Sequence, residues 1–128
     1  MPRRRTPQWQ SSEATLEGTY LFAYDGFVIR DNEKVPFASS GYEVSDGNGH
    51  VKGIATTNVN GKITSKEPFS GTYTVKADCT GSSTYSDGTH YDSFIAPDGS
   101  METYVQTKPS KVVFAGLEQQ GSAKRVGE

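Results

Sequence analysis

Asx-Gly dipeptides recur along the chain, and four of them separate stretches in which apolar and polar residues alternate: Asp46-Gly47, Asn60-Gly61, Asp87-Gly88 and Asp98-Gly99. Such dipeptides readily adopt the positive φ angles of two-residue hairpin turns, and alternation is typical of a strand with one buried face. No segment between the first and the last dipeptide has helical periodicity. We therefore expect a meander in which each strand pairs with its neighbour in the sequence.

Composition favours closure of this meander into a small barrel. The chain has 128 residues, enough for one domain, and 33% of them are apolar while 11% are aromatic. Large rings can fill the middle of a small barrel, and the fourteen glycines can relieve crowding at sharp bends. The sequence thus predicts an all-β fold, a single antiparallel up-and-down β-barrel of about eight strands.

The strand pattern divides the chain into a tail and a barrel. Residues 1–13 are polar and predicted to form a disordered or loosely docked tail, with the basic run Arg3-Arg4-Arg5 and with Trp9 as the residue able to dock; residues 14–126 form the barrel. Asp25-Gly26 predicts a bulge or bend, and Pro68 predicts a break. The predicted strands are Thr15–Ile29, Val35–Val44, Val51–Val59, Lys62–Ser65, Phe69–Cys79, a short strand around Tyr85, Tyr91–Ala96, Met101–Thr107 and Val112–Leu117.

Alternation also predicts which side chains face the interior. Gly18-Thr19-Tyr20 recurs as Gly71-Thr72-Tyr73, so the two strands can occupy related places in the barrel. Residues at i and i+2 share a face of a strand, and the face of the second strand with Ser, Thr, Lys and Asp is polar. The opposite face is therefore expected to point inward: Tyr20, Phe22 and Tyr24 on one strand, and Phe69, Tyr73, Val75, Ala77 and Cys79 on the other.

Charge and cysteine content limit the partners and the compartment. A net charge of −2 argues against binding to nucleic acid, which needs clustered basic residues. The single cysteine excludes an internal disulfide and fits a reducing compartment, and no segment has the length of a membrane span. We expect a cytoplasmic protein, or a secreted one if a signal peptide was removed before the numbering begins, with no membrane partner. A homodimer is compatible with the sequence.

No strong catalytic or metal motif is present. His50 and His90 each lie beside a different predicted turn, so the ligand spacing of a zinc site is missing. Cys79, without an evident base, fits core filling better than nucleophilic catalysis. No serine lies in a nucleophile elbow, and no glycine-rich phosphate loop opens a helix. We expect no metal and no cofactor.

The order of motifs resembles a family of small bacterial proteins of unknown function, usually secreted. The matching residues run along nearly the whole chain after residue 14, and the most specific part is the segment from Gly-Thr-Tyr to Cys-Thr-Gly. Such chains resemble the calycin-like, allene-oxide-cyclase-like group of eight-stranded barrels, which includes bacterial cyclases that close rings in polyketide substrates. The matching residues are Gly18–Tyr20, Asp46-Gly47 with Gly49, Val51 with Gly53, Asn60-Gly61, Gly71–Tyr73 and Asp78–Gly81.

The resemblance implies a fold and a general class of ligand, and it transfers no catalytic residue to this chain. The chain departs from the family pattern where inward apolar residues are expected, because Glu43 stands there and, less securely, Asp92 and Glu102 do. The family's leader peptide is also missing from the sequence as given. A polar interior suits a barrel that acts on a substrate.

Tyrosine is the chemical group in excess, and it defines the candidate site. A buried tyrosine offers an apolar ring and a hydroxyl that needs a partner, and a carboxyl among such rings has its pKa raised. Glu43 is the first choice for that carboxyl; the rival interpretation places Tyr42 and Val44 inside and Glu43 in water. The predicted catalytic residues are Glu43, Tyr20 and Tyr73, and the predicted ligand-binding residues are Phe22, Tyr24, Phe69, Tyr85 and Tyr104.

Three functions fit these residues. The first is a cofactor-free cyclase or isomerase that holds a small, hydrophobic, polyketide-like molecule in the barrel lumen, since a shaped cavity with a few donors can supply much of such catalysis. The second is a barrel that binds a small apolar ligand without chemistry. The third is a structural or interaction protein whose core is solid, because an eight-stranded barrel can be filled by its own side chains.

Overall fold

A computed structural model of the protein describes residues 11–121. The predictions for Arg3-Arg4-Arg5 and Trp9 lie outside these residues, as do residues 122–128. A 3-10 helix, Glu13–Thr15, precedes the barrel. The eight strands are β1 (Glu17–Arg30), β2 (Glu33–Asp46), β3 (His50–Val59), β4 (Lys62–Val75), β5 (Thr80–Tyr85), β6 (His90–Ile95), β7 (Met101–Lys108) and β8 (Val112–Gln120).

The strands form a closed antiparallel barrel in which each strand pairs with its sequence neighbours. Closure comes from β1 and β8, which pair from Tyr20 opposite Gln120 to Val28 opposite Val112. The prediction of an all-β, eight-stranded up-and-down barrel is confirmed. No helix among residues 11–121 is long and apolar enough to cross a membrane.

Turn chemistry explains this topology. Asn60 and Gly61 have φ angles of 53° and 96°, the left-handed conformation that the tight turn between β3 and β4 requires. In the turns before β6 and β7, the carboxylates of Asp87 and Asp98 accept hydrogen bonds from backbone N–H groups two residues ahead. The local residues therefore specify these three reversals of the chain.

Two predicted interruptions are wrong. Pro68 does not end a strand: it pairs with Ile54 inside the continuous β4, beside a register shift between Ala55 and Thr57. A residue without an N–H is tolerated at such an irregularity. Asp25-Gly26 forms no bulge, since the pairing of β1 is continuous with both neighbours.

One end of the barrel is filled and the other is not. The filled end, here called the closed end, contains the 3-10 helix and the turns that follow β2, β4 and β6. A cluster of buried residues packs there: Leu16, Tyr20, Val51, Tyr73, Val75 and Ile95. The Tyr20 hydroxyl donates to the Gly99 carbonyl, and the Tyr73 hydroxyl donates to the Leu16 carbonyl at 2.7 Å. This end supplies the compact core.

The prediction of which side chains face inward on the strand after Pro68 is correct as far as Val75. Tyr73 and Val75 are buried, and the polar residues of the opposite face are exposed. Ala77 is exposed, and Cys79 is buried but lies in the turn after β4 with a φ of 71°, where its Sγ is 3.0 Å from the Ser11 hydroxyl. The strand ends four residues before Cys79, because the chain must reverse between β4 and β5.

Candidate functional site

A cavity of about 460 Å³ occupies the lumen on the other side of the closed-end core. Residues from all eight strands line it, and it extends to the turn between β5 and β6 at Asp87 and Thr89. None of the six closed-end core residues contributes to the lining. The barrel is therefore divided along its axis into a packed half and a hollow half.

Six rings form a closed circuit around this cavity, here called the aromatic belt. Consecutive ring centroids lie 5.4–6.1 Å apart, and every ring of the circuit lines the cavity. Five of the six contacts are edge-to-face, a favourable geometry for aromatic pairs. In order around the lumen, the belt consists of Phe22, Tyr24, Tyr104, Tyr91, Tyr85 and Phe69.

Two further rings fill the space behind Tyr24. Phe114 stacks on Tyr24 with centroids 4.1 Å apart, and Phe37 packs edge-on against Phe114 at 5.2 Å. Both are buried and neither lines the cavity. This packing fills the lumen next to β1, β2 and β8 at the level of Tyr24.

Three carboxyl groups meet in the lumen and are here called the carboxyl cluster: Glu43 of β2, Glu102 of β7 and Glu118 of β8. They are only 7%, 9% and 2% exposed, and one carboxyl oxygen from each lies within 4.8 Å of the others. All three line the cavity. Strand alternation explains the arrangement, because each glutamate shares the inward face of its strand with buried neighbours.

Burial and mutual repulsion set the protonation of the carboxyl cluster. Burial raises the pKa of Glu43, and burial together with the negative charge of Glu43 raises the pKa of Glu118 well above its ordinary range. Glu118 is within hydrogen-bonding reach of both other carboxyls. A hydrogen bond between two carboxyl groups needs a proton on one of them, so this geometry favours a cluster that shares protons.

One tyrosine hydroxyl of the belt forms a hydrogen bond with the carboxyl cluster, and two buried polar atoms of the cavity wall have no partner among residues 11–121. The Tyr85 hydroxyl donates to Glu43 Oε1 at 3.0 Å. Neither the Tyr104 hydroxyl nor Glu118 Oε2 has a hydrogen-bond partner among residues 11–121, although both are buried. Burial also raises the pKa of Tyr85 and Tyr104, which keeps both hydroxyls protonated. Both residues line the cavity, so these two atoms are unsatisfied polar groups of its wall.

Most of the residues proposed from the sequence meet in the lumen. Glu43 is buried in the cavity wall while Tyr42 is 40% exposed on the outer surface, so the rival interpretation of this strand is wrong. Glu102 also points inward, whereas Asp92 is exposed, contrary to the prediction. All five predicted ligand-binding rings line the cavity: Phe22, Tyr24, Phe69, Tyr85 and Tyr104.

Tyr20 and Tyr73, predicted as catalytic residues together with Glu43, do not lie at the cavity. Both belong to the closed-end core, their hydroxyls bond to backbone carbonyls, and neither lines the cavity. Their side chains face inward as predicted, but they lie in the packed half of the barrel, whereas the cavity lies in the hollow half. We therefore leave them out of the site.

Two residues of the site escaped the sequence analysis. Glu118 follows the predicted end of the last strand at Leu117, and β8 in fact continues to Gln120. Counting on by two from Phe114 would have placed Glu118 on the inward face. Tyr91 shares the inward face of β6 with Ser93 and Ile95, both buried, so alternation could have identified it as well.

The two histidines, which could serve as metal ligands, do not lie near each other. His50 begins β3 at the closed end and His90 begins β6 at the opposite end, so the prediction that they are not neighbours is confirmed. Among residues 11–121, the carboxyl cluster is the group whose spacing could hold a cation. The sequence analysis did not anticipate that grouping, since the three glutamates lie on three separate strands.

Comparison with known proteins adds a structural likeness. No protein-family model matches the chain, and no curated protein sequence matches it. A solved structure of a de novo designed fluorescence-activating β-barrel is similar, with 9% sequence identity and a TM-score of 0.49. The similarity covers 84% of this chain and 94% of the designed chain. Nothing about a ligand follows from so low an identity.

Proposed function

We propose that the barrel binds a small, largely apolar molecule in its hollow half. The observation that carries this proposal is a cavity enclosed by the aromatic belt and bordered by the buried carboxyl cluster. The belt packs against the apolar body of the molecule, and the unpartnered atoms of Tyr104 and Glu118 bind its polar group. A ligand site of this kind is mostly apolar with a few placed polar groups.

The size of the lumen supports a ligand over a solid core. A volume of about 460 Å³ lies in the range of pockets that hold small molecules, roughly 300–1,000 Å³. Two or three fused rings would fill it. The solid-core alternative requires side chains in this space, and the packed half of the barrel alone has them.

A pair of alanine-to-phenylalanine variants tests the proposal. Ala55 lines the cavity, whereas Ala115 is exposed on the outer surface of β8. We expect the neutral fluorescent probe N-phenylnaphthylamine to bind the native chain with enhanced emission. Ala55→Phe places a ring in the lumen and should weaken that binding at least about tenfold, roughly 1.4 kcal/mol. Ala115→Phe adds the same ring outside and should leave binding unchanged.

The comparison of the two variants also shows how the proposal could fail. Equal loss in both variants would point to binding on the outer surface of the barrel. Absence of probe binding by the native chain, tested together with a series of smaller neutral aromatics, would speak for the solid-core alternative. Circular dichroism of each variant checks that the barrel is intact.

Catalysis without a cofactor is the second candidate, and the raised pKa of Glu118 favours it. A carboxyl whose pKa is raised well above its ordinary range, in the same cavity wall as Tyr104, can act as general acid or base. The candidate reaction is the cyclisation or isomerisation of a polyketide-like molecule. As part of this second candidate, we propose that the chain belongs to the bacterial family that resembles allene oxide cyclases. Its reaction would then be a step in natural-product biosynthesis.

Proton abstraction from nitrobenzisoxazole tests the second candidate, because a carboxylate base in an apolar site accelerates this reaction. We expect a rate above that of the reaction in buffer alone, rising with pH as Glu43 and Glu118 lose their protons. Glu118→Gln and Glu43→Gln should lower the rate at least about tenfold. Glu17→Gln alters an exposed carboxyl at the closed end and should not. Equal rates in all four proteins would contradict a catalytic role.

A further inference from the structure

The lining of the cavity carries charge of one sign only. Its acidic residues are Glu43, Glu67, Asp87, Glu102 and Glu118, and within residues 11–121 no lysine, arginine or histidine lines it. Glu67 and Asp87 are exposed, whereas the carboxyl cluster is buried. A ligand that enters therefore passes from exposed carboxylates to the buried carboxyl cluster, and the negative charge along this path attracts cations.

The buried carboxyls find no positive partner within the described chain. Among residues 11–121, no basic side chain forms an ion pair with the carboxyl cluster. The ion pair within these residues joins His50 to Asp46, outside the cavity. Glu118 is 2% exposed, lines the cavity and leaves Oε2 without a donor. A buried polar atom without a partner is costly, so a ligand that donates a hydrogen bond to this oxygen would be favoured.

The aromatic belt suits the same kind of ligand. The face of an aromatic ring carries partial negative charge and attracts an organic cation within about 6 Å of its centre. Six rings enclose the lumen beside the carboxyl cluster, four of them tyrosines. Negative ring faces and carboxyl oxygens both favour a positive group, while the rings also accommodate apolar surface.

We propose that the ligand of the lumen is an organic ammonium ion: a primary or secondary amine on an apolar body of two or three rings. This inference rests on the proposed function and names its ligand class. The N–H groups donate to Glu118 Oε2 and to a second carboxyl of the cluster, and the belt packs on the rings. Because these acceptors need N–H donors, a quaternary ammonium is disfavoured.

A bare divalent metal ion fits the lumen less well. Calcium takes six to eight oxygen ligands and magnesium six, and the carboxyl cluster offers three carboxyl groups. The belt supplies rings in place of further oxygens. An organic cation uses the whole lining, whereas a metal ion would use only its acidic part.

Three naphthalene probes of matched size test the inference: naphthylethylamine, naphthylethanol and naphthylacetate. At about pH 7 the first is a cation, the second is neutral and the third is an anion. Titration calorimetry of each with the native chain should give the amine at least about tenfold tighter binding than the alcohol, and no detectable binding of the anion. Charge-assisted hydrogen bonds to carboxylates account for the preference.

Variants of the carboxyl cluster locate the preference. Glu118→Gln and Glu102→Gln should each reduce the advantage of the amine over the alcohol to within about threefold and leave alcohol binding unchanged. Glu17→Gln, an exposed carboxyl at the closed end, should preserve the full advantage. Circular dichroism confirms that each variant is folded.

The outcomes separate this inference from the function on which it rests. Equal binding of amine and alcohol, or tighter binding of the anion, would overturn the cation preference and leave a neutral-ligand lumen in place. An amine advantage that survives in both Glu→Gln variants would also overturn it, because the charge would then act from elsewhere. If none of the probes binds, the proposed ligand-binding function fails together with the inference.

Discussion

Glu118 is the residue at which stability and function are most opposed. Its carboxyl is buried beside two others, and Oε2 has no hydrogen-bond donor among the described residues. A site that stabilises the fold alone would place an apolar or amide side chain here, because an unpaired buried charge is unfavourable. Residues that destabilise the fold locally are expected mainly at functional positions, and the buried carboxyl of Glu118 fits the proposed ligand site in this respect.

This conflict predicts a pH dependence of stability. Because the pKa of Glu118 in the folded chain is raised above its ordinary 4.5, the folded state keeps a proton that the unfolded state loses as the pH rises. Stability from this group is fully present below about pH 4.5 and is lost as the pH rises through the folded pKa. We expect Glu118→Gln to raise the free energy of unfolding by about 1–3 kcal/mol at about pH 8, and to leave it nearly unchanged at about pH 4.

Urea unfolding of the native chain and of Glu118→Gln at both pH values measures this effect. Glu17→Gln serves as the control, since Glu17 is exposed on β1 and its replacement should change stability by less than about 0.5 kcal/mol. If Glu118→Gln destabilises the chain more at the higher pH than at the lower, the carboxylate has a stabilising partner and the assignment is wrong.

At the scale of the elements, the closed end is held by a tyrosine that joins three segments. The Tyr73 hydroxyl of β4 donates to the Leu16 carbonyl after the 3-10 helix and accepts from the Gly47 N–H between β2 and β3. The carboxylate of Glu13 accepts a hydrogen bond from the Val75 N–H at 2.9 Å. The helix thereby covers the end of the barrel and keeps the core dry.

Truncation of this tyrosine should loosen the closed end. Tyr73→Ala removes a buried ring and is expected to cost about 3–5 kcal/mol, whereas Tyr73→Phe removes only the hydroxyl and should cost about 1 kcal/mol. Tyr42→Ala on the exposed face of β2 is the control, with an expected change below about 1 kcal/mol. Chemical denaturation measures all three, and a small loss for Tyr73→Ala would show that the closed end contributes little.

Gly116 of β8 makes room for the aromatic belt. A Cβ atom at this position would lie 2.7 Å from the Tyr104 hydroxyl and 2.7 Å from Tyr24 Cβ. Gly116→Ala must therefore displace the Tyr104 ring, with an expected loss of about 1–3 kcal/mol in stability and of at least about tenfold in affinity for N-phenylnaphthylamine.

Gly121→Ala is the matched control for Gly116→Ala. A Cβ there would meet its nearest atoms at ordinary contact distances of 3.7 and 3.9 Å, so neither stability nor probe affinity should change. Thermal denaturation and fluorescence titration measure both variants. Unchanged affinity in Gly116→Ala would mean that the position of the Tyr104 ring is unimportant for the ligand.

The elements show what could be predicted from the sequence. The Asx-Gly turns and the alternation of Glu43 with its neighbours are local signals, and they identified the hairpin topology and the inward face of β2 correctly. The tolerance of Pro68 depends on a register shift between β3 and β4, which is visible only once the two strands are paired. The carboxyl cluster depends on the register between β7 and β8, where Glu102 lies opposite Glu118, so it could only be seen after closure.

At the scale of the whole molecule, the division into a packed and a hollow half reconciles stability with the proposed ligand site. Closed-end residues exclude water from one half, so the other half can keep polar and charged groups that oppose folding. Tyr20 and Tyr73 share an inward face with belt residues of their strands yet serve the packed half. The height of a side chain along the barrel axis therefore decides its role, and alternation in the sequence contains no information about that height.

Closure of the barrel depends on its last strand. β8 pairs with both β1 and β7, and it contributes Phe114 to the packing behind Tyr24 and Glu118 to the carboxyl cluster. A chain that ends at Lys111 would expose two unpaired strand edges and the apolar lumen, a combination that promotes aggregation. We expect it to lose cooperative thermal unfolding and to elute as large species in size-exclusion chromatography. A chain that ends at Gly121 retains all eight strands and should unfold cooperatively; cooperative unfolding of the shorter chain would show that seven strands suffice.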